Sequence, residues 1–244
     1  MNDNRTLIGR GKIAAIYTDQ FFAYKTYSLN YPIDWIAYEV TIQQEVKVKT
    51  SLPVLNYTFD KEKREIKMDF IKGITLTDRL RKDKYKDGFK DMQKLQMSIY
   101  QYSDLNIPSA YEAYEHQINN CILSDDMKRK AIKALYSVEK KNCLCHLDFH
   151  PDNIMFDGNQ YYIIDWVNAK LANPVLDLAR TYIIFKQYIS RQANKYLKEI
   201  TKSLSIDIDD VYKVLPAIAA IRLLELDPSD FKDTLIDFIN NSND

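Results

Sequence analysis

"CHLDFHPDNIMFDGNQYYIIDW", residues 145–166, sets four aspartates and two histidines between apolar runs. The run ending at Leu144-Cys145 gives way to the loop His146-Leu147-Asp148-Phe149-His150-Pro151-Asp152-Asn153, and Ile154-Met155-Phe156 resumes it. Asp157-Gly158 is a turn dipeptide, so Tyr161 to Ile164 is expected to pair back as a short hairpin. That hairpin delivers Asp165 close to Asn153. Asp148, Asn153 and Asp165 would then converge as two carboxylates and an amide oxygen, an all-oxygen environment that suits Mg²⁺ holding a polyphosphate.

The rest of the chain narrows the alternatives. At 244 residues it suits one large domain or two lobes sharing a cleft, and 46% apolar with 28% charged residues is ordinary for a globular protein. Lys+Arg and Asp+Glu are equal at 34 each, so no global field favours nucleic acid or an anionic membrane as partner. The polar start Met1-Asn2-Asp3-Asn4-Arg5 lacks a signal-peptide pattern, no apolar run is long enough to span a bilayer, and the 3 cysteines suggest reduced thiols. A cytoplasmic location is expected.

Strand patterns at Ile13–Tyr17 and Phe21–Tyr27 flank Thr18-Asp19-Gln20, a hairpin signal. Asp34 is expected to cap a helix from Trp35 to about Lys47, followed by strands near Leu55–Phe59 and Glu65–Ile71. Helical patterns then run through Leu76–Lys82, Phe89–Tyr102, Tyr111–Ile122 and Asp126–Lys140, and again beyond Pro174. The expectation is an α+β chain with a β-rich lobe over residues 1–71 and a larger, mainly helical lobe over 72–244.

A lone D-x-x-x-x-N carries little weight, because Asp and Asn are common in loops. The conjunction His146-x-Asp148-x-x-x-x-Asn153, hairpin, Ile163-Ile164-Asp165-Trp166 carries more. It resembles the catalytic core of the aminoglycoside phosphotransferase and choline kinase family, relatives of the protein kinases, whose template is H-R-D-x-x-x-x-N followed by D-F-G. The resemblance implies a protein-kinase-like two-lobed fold with a small antiparallel sheet and one helix in the N-lobe. It implies Asp148 as the catalytic base, Asn153 and Asp165 as holders of Mg²⁺ at the β- and γ-phosphates of ATP or GTP, and His146 as an organiser of the loop. In Asn173-Pro174-Val175-Leu176-Asp177-Leu178-Ala179-Arg180 it implies that Asp177 braces that loop.

Near the N-terminus, Gly9-Arg10-Gly11-Lys12-Ile13-Ala14-Ala15-Ile16 reads G-x-G-x-x-A-x-I, and two glycines before a strand are also what a plain turn would use. Lys25 shares strand parity with Ala23 and Tyr27. In the following helix Trp35, Glu39, Ile42 and Val46 form an apolar stripe with Glu39 inside it. A buried carboxylate needs a partner, and Lys25 is the obvious one; Glu45 is the alternative to Glu39. On the resemblance, Met68-Asp69-Phe70-Ile71 forms the hinge to the adenine, and Met155 and Ile164 line the floor beneath the base. Each of Met68, Phe70, Met155 and Ile164 is equally at home as plain core.

Departures from the protein-kinase pattern bear on the acceptor. His150 stands two after Asp148, where protein kinases of the serine/threonine class carry lysine. No glycine follows Asp165-Trp166, and only eleven residues separate Asp165 from Asp177. A small-molecule hydroxyl acceptor is therefore favoured over a protein. The acidity from Asp207 onward, including Asp209, Asp210, Glu225, Asp227, Asp230 and Asp244, would suit a cationic acceptor, although such a face is usually only solvated. Aminoglycoside, choline or ethanolamine, sugar and nucleoside stay open as acceptors. An atypical protein kinase and a non-catalytic nucleotide-binding module are the competing classes.

Overall fold

The computed structural model describes residues 5–225 and 231–240. In it the chain divides into two compact units, residues 1–88 with 151–167 and residues 89–150 with 168–244.

The first unit is built on a five-stranded antiparallel sheet in the order β1 (Thr6–Arg10), β2 (Ala14–Thr18), β3 (Phe22–Tyr27), β5 (Glu65–Asp69), β4 (Tyr57–Asp60). β3 is the central strand, so Lys25 sits between Ile16 and Ile66 rather than on a solvated edge. Helix α1 (Ile33–Lys49) joins β3 to β4 and buries Ile36, Glu39, Val40, Ile42, Gln43 and Val46. The periodicity reads correctly but is rotated by one residue at its start. Ile36 faces the core, whereas Trp35 is 60% exposed. Asp34 does not cap this helix either: Pro32 occupies the N-cap position without a side-chain hydrogen bond, and Asp34 lies in the first turn, where a negative charge favours the helix dipole. The Gln43 and Gln44 side-chain amides donate to the carbonyls of Leu55 and Tyr57 at 2.9 and 3.1 Å, tying the helix to the approach to β4.

A three-stranded sheet completes this unit: β6 (Ile74–Thr75), β8 (Ile154–Phe156) and β9 (Tyr161–Ile163), in the order β6-β8-β9. Packing thus extends the first unit past the residue-71 boundary expected from composition. β6 pairs with β8, helix α2 (Leu76–Arg81) packs on β6 and β8, and the Ile163 amide donates to the Pro53 carbonyl. Gly73 permits the approach of β6, because a Cβ there would lie 2.1 Å from the Phe156 carbonyl oxygen.

The second unit is mainly helical. It holds most of α3 (Gly88–Ile99), then α4 (Ala110–Asn119), α5 (Asp125–Leu135), α6 (Pro174–Tyr188), α7 (Ser190–Leu204), α8 (Ile208–Glu225) and α9 (Lys232–Asn240). α6 buries every residue from Pro174 to Phe185 and packs on α7 and α8, which is why its sequence is apolar almost all round. Two short strands, β7 (Cys143–Cys145) and β10 (Lys170–Ala172), pair antiparallel with Leu144 opposite Leu171. The α+β, protein-kinase-like expectation holds: an antiparallel sheet with one long helix at the N-terminal end, and helices thereafter. Among the described residues no helix is long and apolar enough to cross a membrane.

Candidate active site

A cavity of about 590 Å³ opens in the first unit. Gly9, Gly11 and Ile16 line one side of it. Neither glycine takes a left-handed conformation, and an added Cβ would meet nothing closer than 3.6 Å. A side chain at either position would therefore meet its neighbours at ordinary van der Waals distance. Ala23, Met68, Phe70, Met155 and Ile164 line it as well. Met68 is buried while Phe70, Met155 and Ile164 are partly so, and all four belong to the core cluster or pack against it as well as lining the cavity. The two readings of these residues are therefore compatible. Tyr31, Leu55 and Tyr57 also line the cavity and were not singled out from the sequence. The only available signal was aromatic and apolar character next to a strand, shared with much of a chain holding 18 tyrosines.

Charge is concentrated in one corner. Lys25 Nζ donates to Glu39 Oε1 at 2.7 Å and lies 3.8 Å from Asp165 Oδ1. Tyr27 Oη donates to the other Glu39 oxygen at 2.5 Å. Glu39 is 3% exposed, so both oxygens need these donors. Burial disfavours the Lys25 ammonium, yet the carboxylates of Asp165 and Glu39 outweigh it and raise its pKa above the ordinary lysine value. The lysine is thus held as a cation at the cavity wall. Of the two acids weighed from the sequence, Glu39 is the one that meets it.

Asn153 and Asp165 reach the same cavity through the hairpin. Asn153 ends a single 3₁₀ turn, Pro151–Asn153, and its carbonyl accepts from the Ile164 amide at 3.0 Å, with Ile154 opposite Ile163 in the ladder. Asp165 follows in a left-handed backbone conformation, φ 64°, which turns its side chain out of the strand. Its Oδ1 is buried and accepts no hydrogen bond. An orphaned carboxylate oxygen and a buried amide lining one cavity offer hard oxygen donors of the kind that fit Mg²⁺. Among the described residues no group of three or more His, Cys, Asp or Glu could hold a metal. Mg²⁺ takes one or two protein ligands and completes its shell with phosphates and water.

The second unit presents Asp148. Its Oδ2 lies 3.7 Å from His150 Nε2 and its Oδ1 lies 3.8 Å from Arg180 Nη2. Burial pushes its pKa up, but the neighbouring His150 imidazole and the charge of Arg180 prevail and hold the carboxyl well below the usual range. Asp148 is ionised throughout the neutral range. The loop around it is anchored from behind. Asp177, fully buried on the first turn of α6, accepts from the Leu147 amide at 2.6 Å, from Tyr100 Oη at 2.8 Å and from the Gln96 side-chain amide at 3.1 Å. His146 is buried against Phe149, with ring centroids 5.6 Å apart in an edge-on arrangement. Leu147 carries a φ of 57°, a conformation that this anchoring sustains. Asp177→Ala is expected to destabilise the protein by about 3 kcal/mol, roughly 10 °C in Tm, because it orphans a buried amide and a buried hydroxyl. Calorimetry checks this, and a loss below about 1 kcal/mol would show that the loop holds itself.

Arg180 is the residue that the sequence reading passed over. It is 2% exposed, and its Nη2 donates to Glu225 Oε2 at 2.6 Å. Among the described acidic residues, those at the start of α8 and Glu225 lie at opposite ends of that helix. Asp207 and Asp210 serve the start of α8, where the Asp207 carboxylate accepts the Asp209 amide and Asp210 pairs with Lys213. Glu225 is at the other end of that helix, about 26 Å away along the axis. Asp227, Asp230 and Asp244 lie outside the described residues.

Residues 99–203 match the phosphotransferase enzyme family, APH. The matched span contains Asp148, Asn153, Asp165 and Asp177 but neither Lys25 nor Glu39. No curated protein matches the chain. The fold is similar to that of choline kinase LicA from Streptococcus pneumoniae, at TM-score 0.66 and 15% identity over 96% of this chain and 92% of that one. It is similar to a thermostable mutant of aminoglycoside phosphotransferase APH(4)-Ia, solved with AMP-PNP and hygromycin B, at TM-score 0.67 and 12% identity over 98% and 90%. A choline/ethanolamine kinase family protein from Mesorhizobium loti gives 0.65 and 13% over 99% and 87%. The resemblance carried by the His146–Asp165 motif is borne out by both the family match and the fold.

Proposed function

We propose, from the premise of a phosphotransferase-family sequence on a choline-kinase-like fold, that this protein transfers the γ-phosphoryl group of ATP or GTP to a hydroxyl of a small molecule. The observation that carries the proposal is the meeting of Lys25, Glu39 and Asp165 in a cavity that Asn153 also lines. A cation fixed by a buried acid beside an orphaned carboxylate oxygen suits a polyphosphate. It has no evident use in an apolar-ligand pocket.

In this reading Glu39 and Tyr27 aim Lys25, whose ammonium holds the α- and β-phosphates. The apolar walls at Ala23, Met68, Met155 and Ile164 take the base. Asn153 and Asp165 would hold Mg²⁺, which when bound neutralises charge on the β- and γ-phosphate oxygens. Asp148 accepts the hydrogen bond of the acceptor hydroxyl, orients it and receives its proton. A carboxylate this acidic is a weak base, so positioning and charge neutralisation supply most of the rate. The cytoplasm would provide the nucleotide.

The acceptor is read as a small molecule because helix α6 begins at Pro174, soon after Asp165, leaving no length for a peptide-docking segment. Aminoglycosides and choline-like alcohols are the leading classes, from the neighbours in fold. Thermal-shift titration with ATP or GTP and Mg²⁺, followed by ADP or GDP release across aminoglycosides, choline, ethanolamine, sugars, nucleosides and a generic protein, tests the proposal. Stabilisation by nucleotide with turnover of a small hydroxyl compound is expected. The absence of any nucleotide shift would remove the kinase reading, and nucleotide binding with no turnover across the panel would favour a non-catalytic module.

A further inference from the structure

Helix α6 grips the loop at three consecutive residues. Asp177 takes the Leu147 amide at 2.6 Å, Arg180 approaches the Asp148 carboxylate at 3.8 Å, and Thr181 Oγ1 donates to the Phe149 carbonyl at 3.0 Å. Positions 177, 180 and 181 share one face of the helix by the i, i+3, i+4 rule. Two of these contacts are to backbone and suffice to fix the path of the loop. Only Arg180 reads a side chain, and that side chain is Asp148.

Arg180 is a poor choice if its role is packing alone. Its guanidinium is buried, and Nε and Nη1 have no hydrogen-bond partner. A buried charge in that state is costly, and an unbranched apolar side chain would fill the same space at less cost. Glu225, from the end of α8, balances the charge through Nη2 at 2.6 Å and is itself shared with Arg222 at 3.7 Å.

We infer that Arg180 is a positioning residue for the proposed reaction, aiming and charging Asp148, with Glu225 as the counter-ion that lets a guanidinium stay buried at that point. The inference rests on Asp148 being the base. Other groups act on the same pair. His150 and His146 face Asp148 from its own loop, while Glu225 from α8, Tyr114 from α4 and Lys170 from β10 act on Arg180. Burial and the charge of Arg180 lower the pKa of Lys170, so this lysine on β10 feels the guanidinium directly.

The test reads the Asp148 carboxyl itself and does not depend on knowing the acceptor. The intact protein is labelled with ¹³C-carboxyl aspartate, and Asp148 is assigned from the resonance lost in Asp148→Asn. Its titration is followed in wild type, Arg180→Met, Arg180→Lys and Glu225→Gln. In Arg180→Met the midpoint is expected to rise by at least about one pH unit, a tenfold gain in proton affinity. Arg180→Lys should raise it less. Glu225→Gln keeps an oxygen to accept the Nη2 bond while removing a negative charge, so the midpoint should stay or fall. A midpoint unmoved in Arg180→Met, or raised equally by Glu225→Gln, overturns the inference. If Arg180→Met does not fold, the opposite displacements expected for Arg180→Lys and Glu225→Gln decide it. With an acceptor in hand, kcat should fall in Arg180→Met while the nucleotide KM holds. A shifted carboxyl with no turnover in wild type would instead count against the proposed function.

Discussion

Asp148→Asn is expected to lower kcat by about a thousandfold with nucleotide affinity unchanged, within the range seen when a positioned acid–base group is lost. The substitution conserves shape and can still hydrogen-bond a hydroxyl, but it cannot take the proton. Nucleotide affinity should hold because every cavity-lining residue belongs to the first unit, whereas Asp148 belongs to the second. Folding should survive as well. Arg180 keeps its 2.6 Å bond to Glu225, and Asp177 and Thr181 still hold the loop backbone. Steady-state product release and a nucleotide thermal shift on the same sample separate the two effects. Retention of activity within tenfold of wild type would assign the proton acceptor elsewhere.

Asp165→Ala is expected to have a comparable or larger effect on turnover, on the order of a thousandfold or more, and to act by a different route. Wild type should bind nucleotide more tightly with Mg²⁺ than without it, and the variant should lose that difference. Lys25 retains its 2.7 Å bond to Glu39, so some affinity for the phosphates should remain and become metal-independent. Calorimetric titration with and without Mg²⁺ checks this. If the variant still responds to Mg²⁺, the metal is held by other groups.

Both substitutions fall in the stretch from which the site was most legible. His146 to Asp165 is nearly contiguous, and a short hairpin with a defined turn brings its ends together by local geometry alone. Lys25 and Glu39 were legible for another reason. An acid inside an apolar stripe demands a cation, and the adjoining strand offered one at the right parity. The same helix shows where such reasoning slips. Trp35 and Ile36 are both apolar, so periodicity alone does not say which faces in, and it is Ile36 that does. β1 and β10 carry no clear strand signal because one is largely exposed and interrupted by glycine and the other has only 3 residues. Arg180 escaped because its partner is 32 residues earlier in the chain. No local pattern encodes that pairing; it arises from how α6 packs against the loop.

The left-handed backbone at Asp165 has an evolutionary consequence. A non-glycine residue in that region costs the fold about 1 kcal/mol or more, and glycine there would relieve it. Stability alone would therefore select against aspartate at 165. A lineage freed from nucleotide use would drift first at this position and gain thermal robustness as it did so. If Asp165 holds the metal as proposed, the identity of residue 165 would be a marker by which descendants that still use the site can be told from those that have retired it.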